Sequence, residues 1–152
     1  TTNGLSLRKW ADKLIDADLK ELYISLDGPA DIHNEIRGYN KSFEKAVEGI
    51  DYLLSQPKHP KISIFCVITQ WNIGRLKEFL DYFKDYSIEQ IGFMHTNYTP
   101  DNVAENHNIR FGMEYHATAS NMKDINLDAY NLKVLFSEIE EIQKTNYKLI
   151  KE

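Results

Sequence analysis

The chain has 152 residues, of which 42% are hydrophobic and 27% charged, with a formal net charge of −5. This suffices for one domain with a real core, and the acidic balance argues against broad binding to nucleic acid or anionic membranes. A single cysteine, Cys66, leaves no internal disulfide framework or cysteine metal site. With no apolar run long enough to span a bilayer and no signal peptide, a cytoplasmic protein is expected.

Thr1-Thr2-Asn3-Gly4 has no initiator Met and reads as the last residues of a strand turning into a helix, the start expected of a piece of a longer chain. A helix follows from Ser6, a candidate N-cap, with Leu7, Trp10 and Leu14 on one face, Ala11 and Ile15 beside them, and an end near Asp18. Leu22, Ile24 and Leu26 then alternate with Tyr23, Ser25 and Asp27, a strand pattern that stops at the Asp27-Gly28-Pro29 turn. Ser25 and Asp27 lie two apart at the carboxyl end of that strand, hence on one face, where α/β folds bind ligands. His33, Glu35 and Arg37 come next, with Gly38 behind the arginine.

A second amphipathic helix has Ser42 as candidate N-cap, Glu44 in its first turn, and Phe43, Val47, Ile50 and Leu54 as its buried stripe. Pro57 and Pro60 break the chain before Lys61–Thr69, an almost continuous apolar run that suits a strand covered on both faces. Cys66 within it reads as a small core residue rather than a nucleophile. This strand also ends in polar residues, Thr69, Gln70 and Asn72, and Asn72 is a candidate cap for a helix carrying Ile73, Leu76, Leu80 and Phe83. A third strand, Ile88–Thr96, ends in His95, Thr96 and Asn97. Three strand–helix units with polar strand ends predict an α/β fold with parallel strands and crossover helices. The expected architecture is a partial βα barrel, half of a closed one, with a shared site at the carboxyl ends.

Residues 97–126 are polar and rich in asparagine. Thr99-Pro100 can open a short helix to about Ile109, and so long a connection leaving a strand's carboxyl end reads as a lid or substrate loop. Leu132, Leu135, Phe136, Ile139 and Ile142 define a last helix, with Asp128 as candidate cap and a Lys-rich end expected to fray. The five histidines show none of the close spacings of zinc or iron sites, and each reads as an ordinary polar loop residue. His95, beside the strand end, is a candidate for substrate contact, as are His107 and His116 if the loop folds over. No Gly-rich phosphate loop and no Ser-His-Asp order is present.

Three blocks carry a family resemblance: Thr2-Asn3-Gly4; Ser25-Leu26-Asp27-Gly28-Pro29 with His33-Asn34 and Arg37-Gly38; and Val67-Ile68-Thr69-Gln70 with Asn72. In this order they resemble the radical S-adenosylmethionine (radical SAM) superfamily, most of all its sulfatase-maturase-like, SPASM-type branch of peptide-modifying enzymes. The resemblance covers nearly the whole chain. It implies that residues 1–152 are the C-terminal half of the family's TIM-like barrel core, with 97–126 a long loop or lid and 127–152 the final helix. It further implies Ser25 and Asp27 near the ribose of the cofactor, Arg37 near its methionine carboxylate, and Thr69 and Asn72 lining the pocket. His95, Asn97 and Tyr98 would face substrate.

The implied parent is an iron–sulfur oxidoreductase in which a reduced 4Fe-4S cluster cleaves S-adenosylmethionine to a 5′-deoxyadenosyl radical. That radical abstracts hydrogen from a peptide, protein or small-molecule substrate, with electrons from a donor such as flavodoxin or ferredoxin. The family's C-x-x-x-C-x-x-C cluster loop, its glycine-and-glutamate motif and any cysteine-rich auxiliary domain are not in this sequence. The isolated chain is therefore expected to be inactive and to self-associate through exposed sheet edges. Two rivals stand beside this reading. Another βα-barrel enzyme, an aldolase or metal-dependent hydrolase, would need a lysine or carboxylates at the strand ends, where only Asp27 qualifies. A non-enzymatic binding module would use the Asn-rich loop.

Overall fold

Three strands, β1 (Glu21–Ser25), β2 (Lys61–Ile68) and β3 (Gln90–His95), form one parallel sheet in chain order. The computed structural model describes residues 1–121, 126–145 and 147–150. Register pairs Leu22 with Ile62, Ile24 with Ile64, Ile64 with Ile91 and Cys66 with Phe93, so these apolar residues share one face. Packed with them in the core are α1 (Leu7–Asp16), α3 (Ser42–Leu54), α4 (Leu76–Phe83) and α6 (Leu132–Thr145), through Leu7, Ala11, Ile50, Leu53, Phe79, Phe83, Leu135 and Ile142. The fold is thus α/β, and the strand–helix alternation is that of a partial βα fold.

The other face of the sheet carries Tyr23, Ser25, Phe65 and Val67, all half-buried, and exposed Met94. The expectation that β2 is covered on both faces is corrected here: its buried side is Ile62, Ile64 and Cys66, and of its opposite side only Ser63 is buried. Phe65 packs against Tyr23 at 5.5 Å between ring centroids and lies across Gly92, where a Cβ would come within 2.6 Å of the ring. Glycine at that position is what lets the aromatic side chain lie down on the strand.

Both outer strands meet further backbone. Thr2 bridges Ile24 in parallel, donating to Tyr23 O and accepting from Ser25 N–H, each at 2.9 Å, so the first residues do lie as a strand end. On the far side Ile91 N–H donates to Leu149 O at 2.8 Å. Tyr147 and Leu149 are buried, so the expected fraying does not begin there; residues 151–152 lie outside the described ones.

Several local expectations change. An additional helix, α2 (Ala30–Arg37), follows the Asp27-Gly28-Pro29 turn, burying Ile32 and His33 and closing on a left-handed Gly38. Trp10 is 46% exposed, beside Lys9 and Lys13, and so stands off the buried stripe of α1; Phe136 is likewise exposed on α6, where Glu138 is buried instead. In α3 the stripe runs through Leu53 rather than Leu54. Ser6 makes no capping bond. Helix α5 (Asp101–Phe111) has Pro100, not Thr99, at its cap position, and α6 is capped by Asn131 Oδ1 on Val134 N–H at 3.1 Å rather than by Asp128.

Candidate functional site

The carboxyl ends of β1 and β2 are held together by one amide. Asn72 is fully buried; its Nδ2 donates to Asp27 O at 2.8 Å and Val67 O at 2.7 Å, while its Oδ1 accepts from Thr69 N–H at 2.8 Å. It therefore does not cap the following helix, whose cap position is Arg75. Gly28, at φ +139°, lets the chain turn against it: a Cβ there would meet Asn72 Cβ at 3.4 Å. The ends of β2 and β3 are joined similarly, Thr96 Oγ1 donating to Ile68 O at 2.9 Å with the Tyr130 hydroxyl 2.8 Å away.

Beside this join, Asp27 accepts two bonds from Arg37, from Nε at 2.6 Å and Nη2 at 3.1 Å. His33 Nδ1 lies 3.0 Å from Asp27 N and 3.1 Å from Asp27 Oδ2, and His33 Nε2 lies 3.0 Å from Ser42 Oγ. Burial raises the Asp27 carboxyl, but the His33 ring and the Arg37 guanidinium beside it outweigh that, and its pKa falls below the ordinary value. Ser42, expected as a helix cap, is the first residue of α3 and points into this network. His33, read from the sequence as a loop residue, is fully buried in α2.

Thr69 is buried, and its Oγ1 has no hydrogen-bond partner among the described residues. A buried hydroxyl left unpaired costs roughly 1–3 kcal/mol, which marks it as an atom awaiting a partner. Ser25, the last residue of β1, pairs in register with Phe65, four residues before Thr69, on the half-exposed sheet face. The structure thus brings Asp27, Arg37, Thr69 and Asn72 together at the carboxyl ends of β1 and β2, with Ser25 the last residue of β1. His95, Asn97 and Tyr98 follow at the end of β3, all exposed, with His95 Nδ1 3.3 Å from Thr96 O.

Among the described residues no group of His, Cys, Asp and Glu side chains could hold a metal ion. Cys66 is buried, and burial, with the charge of Asp27, pushes its thiol well above the usual range, so it is not poised as a thiolate ligand. The thiolates of an iron–sulfur cluster are therefore not supplied by this chain. The Thr69 hydroxyl, unpartnered among the described residues, and the hydroxyl of half-buried Ser25 are groups of the kind that can bond a polyhydroxylated ligand. No helix among the described residues is long and apolar enough to cross a membrane.

The radical SAM superfamily model matches residues 1–83, the stretch holding β1, β2, α4 and the polar network between them. A GTP 3′,8-cyclase of Staphylococcus haemolyticus is 36% identical over 91 residues, 59% of this chain and 26% of that protein. GTP 3′,8-cyclases of Staphylococcus aureus strains JH9 and Newman are 37% identical over the same length and shares. The chain thus spans about a quarter of the length of these relatives. They lend no support to the sulfatase-maturase branch. With more than half of its length matched by the family model, the chain belongs to the radical SAM superfamily.

Proposed function

We propose that this chain forms the cofactor-facing half of a radical SAM oxidoreductase, with S-adenosylmethionine seated on the carboxyl ends of β1 and β2. The observation that carries this is the orphaned, buried Thr69 hydroxyl next to the Asn72 amide that joins the ends of β1 and β2, in a segment matched by the family. In such an enzyme S-adenosylmethionine and a 4Fe-4S cluster together supply a 5′-deoxyadenosyl radical for hydrogen abstraction. The residues of this chain bind and orient. Ser25 and Thr69 offer hydroxyls to the ribose, with Asp27 beside them. Arg37, anchored on Asp27 through Nε and Nη2, turns its remaining guanidinium edge towards the methionine carboxylate. Asn72 holds the pocket floor in place through the backbone. His95, Asn97 and Tyr98, exposed at and after the end of β3, face substrate, and the segment from 97 through α5 to 121 serves as a lid, residues 122–125 of the expected 97–126 loop lying outside the described ones.

The cluster ligands and the electron donor, a flavodoxin or ferredoxin, come from outside this chain, in a cytoplasmic setting. For the substrate, the peptide suggested by the sequence motifs competes with a nucleotide, a reading favoured by the likeness to GTP 3′,8-cyclases. The test is made on the full-length protein purified without oxygen. About four iron and four sulfide per chain, or a multiple, and reductant-dependent release of 5′-deoxyadenosine are expected. No iron after reconstitution, or no 5′-deoxyadenosine, would sink the proposal and return the aldolase, hydrolase and binding-module readings.

A further inference from the structure

The first residue after β1, Leu26, still bonds to β2, donating from its N–H to Phe65 O at 3.0 Å; Asp27 leaves the sheet with both of its main-chain groups held by side chains. Its carbonyl accepts from Asn72, and its N–H faces His33 Nδ1 at 3.0 Å. His33 is fully buried, and the Phe43 ring packs edge-on against it, centroids 6.1 Å apart. The charged and polar groups that face its nitrogens are the Asp27 carboxylate, carried by Arg37, and Ser42 Oγ on α3. One ring nitrogen cannot accept from an N–H and donate to a carboxylate at once. A neutral ring with its proton on Nε2 satisfies the Asp27 N–H and donates to Ser42, and Asp27 Oδ2 is then satisfied by Arg37 Nε at 2.6 Å.

We propose that His33 is a positioning residue for the cofactor pocket. Through the bond its Nδ1 accepts, it fixes the main chain of Asp27, and through that residue's carboxylate the guanidinium of Arg37, relative to the hydroxyls of Ser25 and Thr69. The proposal rests on the S-adenosylmethionine reading of this site. A plain core histidine would need only to fill space. This one clamps the peptide that separates two ligand-facing elements, and its partner Ser42 lies outside the pocket.

The test uses the full-length protein and measures the Kd of S-adenosylmethionine together with the thermal midpoint. His33→Asn keeps an amide oxygen where Nδ1 accepts from Asp27, whereas His33→Gln keeps an amide only near Nε2. His33→Asn and Ser42→Ala are expected to bind within about threefold of wild type, and His33→Gln about tenfold more weakly, although all three lower the midpoint. Equal affinity for His33→Asn and His33→Gln, or affinity that simply tracks the midpoint, would overturn the positioning role. Absence of binding by the wild type would overturn the site reading itself, and the proposal with it. Nitrogen-15 spectra of the wild-type ring give an arm independent of any variant and of the cofactor: a proton on Nε2 is expected at neutral pH, and a proton on Nδ1 contradicts the proposal.

Discussion

Thr69 and Asn72 lie three residues apart under opposite conditions: the Asn72 amide is saturated by backbone, while the Thr69 hydroxyl has no partner among the described residues. Thr69→Val removes the unpaired oxygen at constant shape, so stability should hold or rise by up to about 1 kcal/mol in a urea titration, while S-adenosylmethionine affinity drops about tenfold. Loss of stability would mean that the hydroxyl has a partner within the protein. Asn72→Ala strands the Asp27 and Val67 carbonyls and the Thr69 N–H, and should cost about 3 kcal/mol by the same titration. Asp27 gives a pH test. Its folded pKa is depressed, so its contribution is full above the unfolded value near ~3.9 and is lost as pH falls through the folded one. The stability gap between wild type and Asp27→Asn should therefore narrow below about pH 4; a constant gap from pH 7 to pH 2 would contradict the ion-pair geometry.

At the scale of elements, the sequence is most legible where periodicity is long. The apolar run of β2 and the stripes of α3 and α4 place those elements correctly, because several residues in each must be buried together. Helix α2 has too few apolar residues to show a period, and only the Gly38 terminator hints at it. Asn72 illustrates the other limit: its local setting suggests a cap, yet its amide finds a carbonyl 45 residues away, which no local pattern encodes. Glu138 was equally invisible. Its Oε2 accepts from Gly74 N–H at 2.7 Å and Oε1 from Lys77 N–H at 3.1 Å, so a carboxylate on α6 caps the first turn of α4. Glu138→Ala should lower stability by about 1–2 kcal/mol in denaturant unfolding, and Glu138→Gln by less. An unchanged midpoint for Glu138→Ala would dismiss the cap.

At the scale of the whole molecule, helices among the described residues pack on one face of the sheet, and parallel sheets are almost always covered on both. The bare face, with Tyr23, Phe65, Val67 and Met94, is the side that would line a barrel. Studied alone, this chain should pair through that face or its edges and scatter light as more than a monomer; a monomer would speak against a half-barrel. On the proposed reading, the same face and the strand ends together would hold the cofactor. The most direct measurement is a crystal structure of the full-length protein with S-adenosylmethionine bound. The account predicts the Ser25 and Thr69 hydroxyls within about 3 Å of cofactor oxygens, with the Asn72 amide still on the backbone. A cofactor seated away from these strand ends, with Thr69 Oγ1 still unpaired, would contradict it.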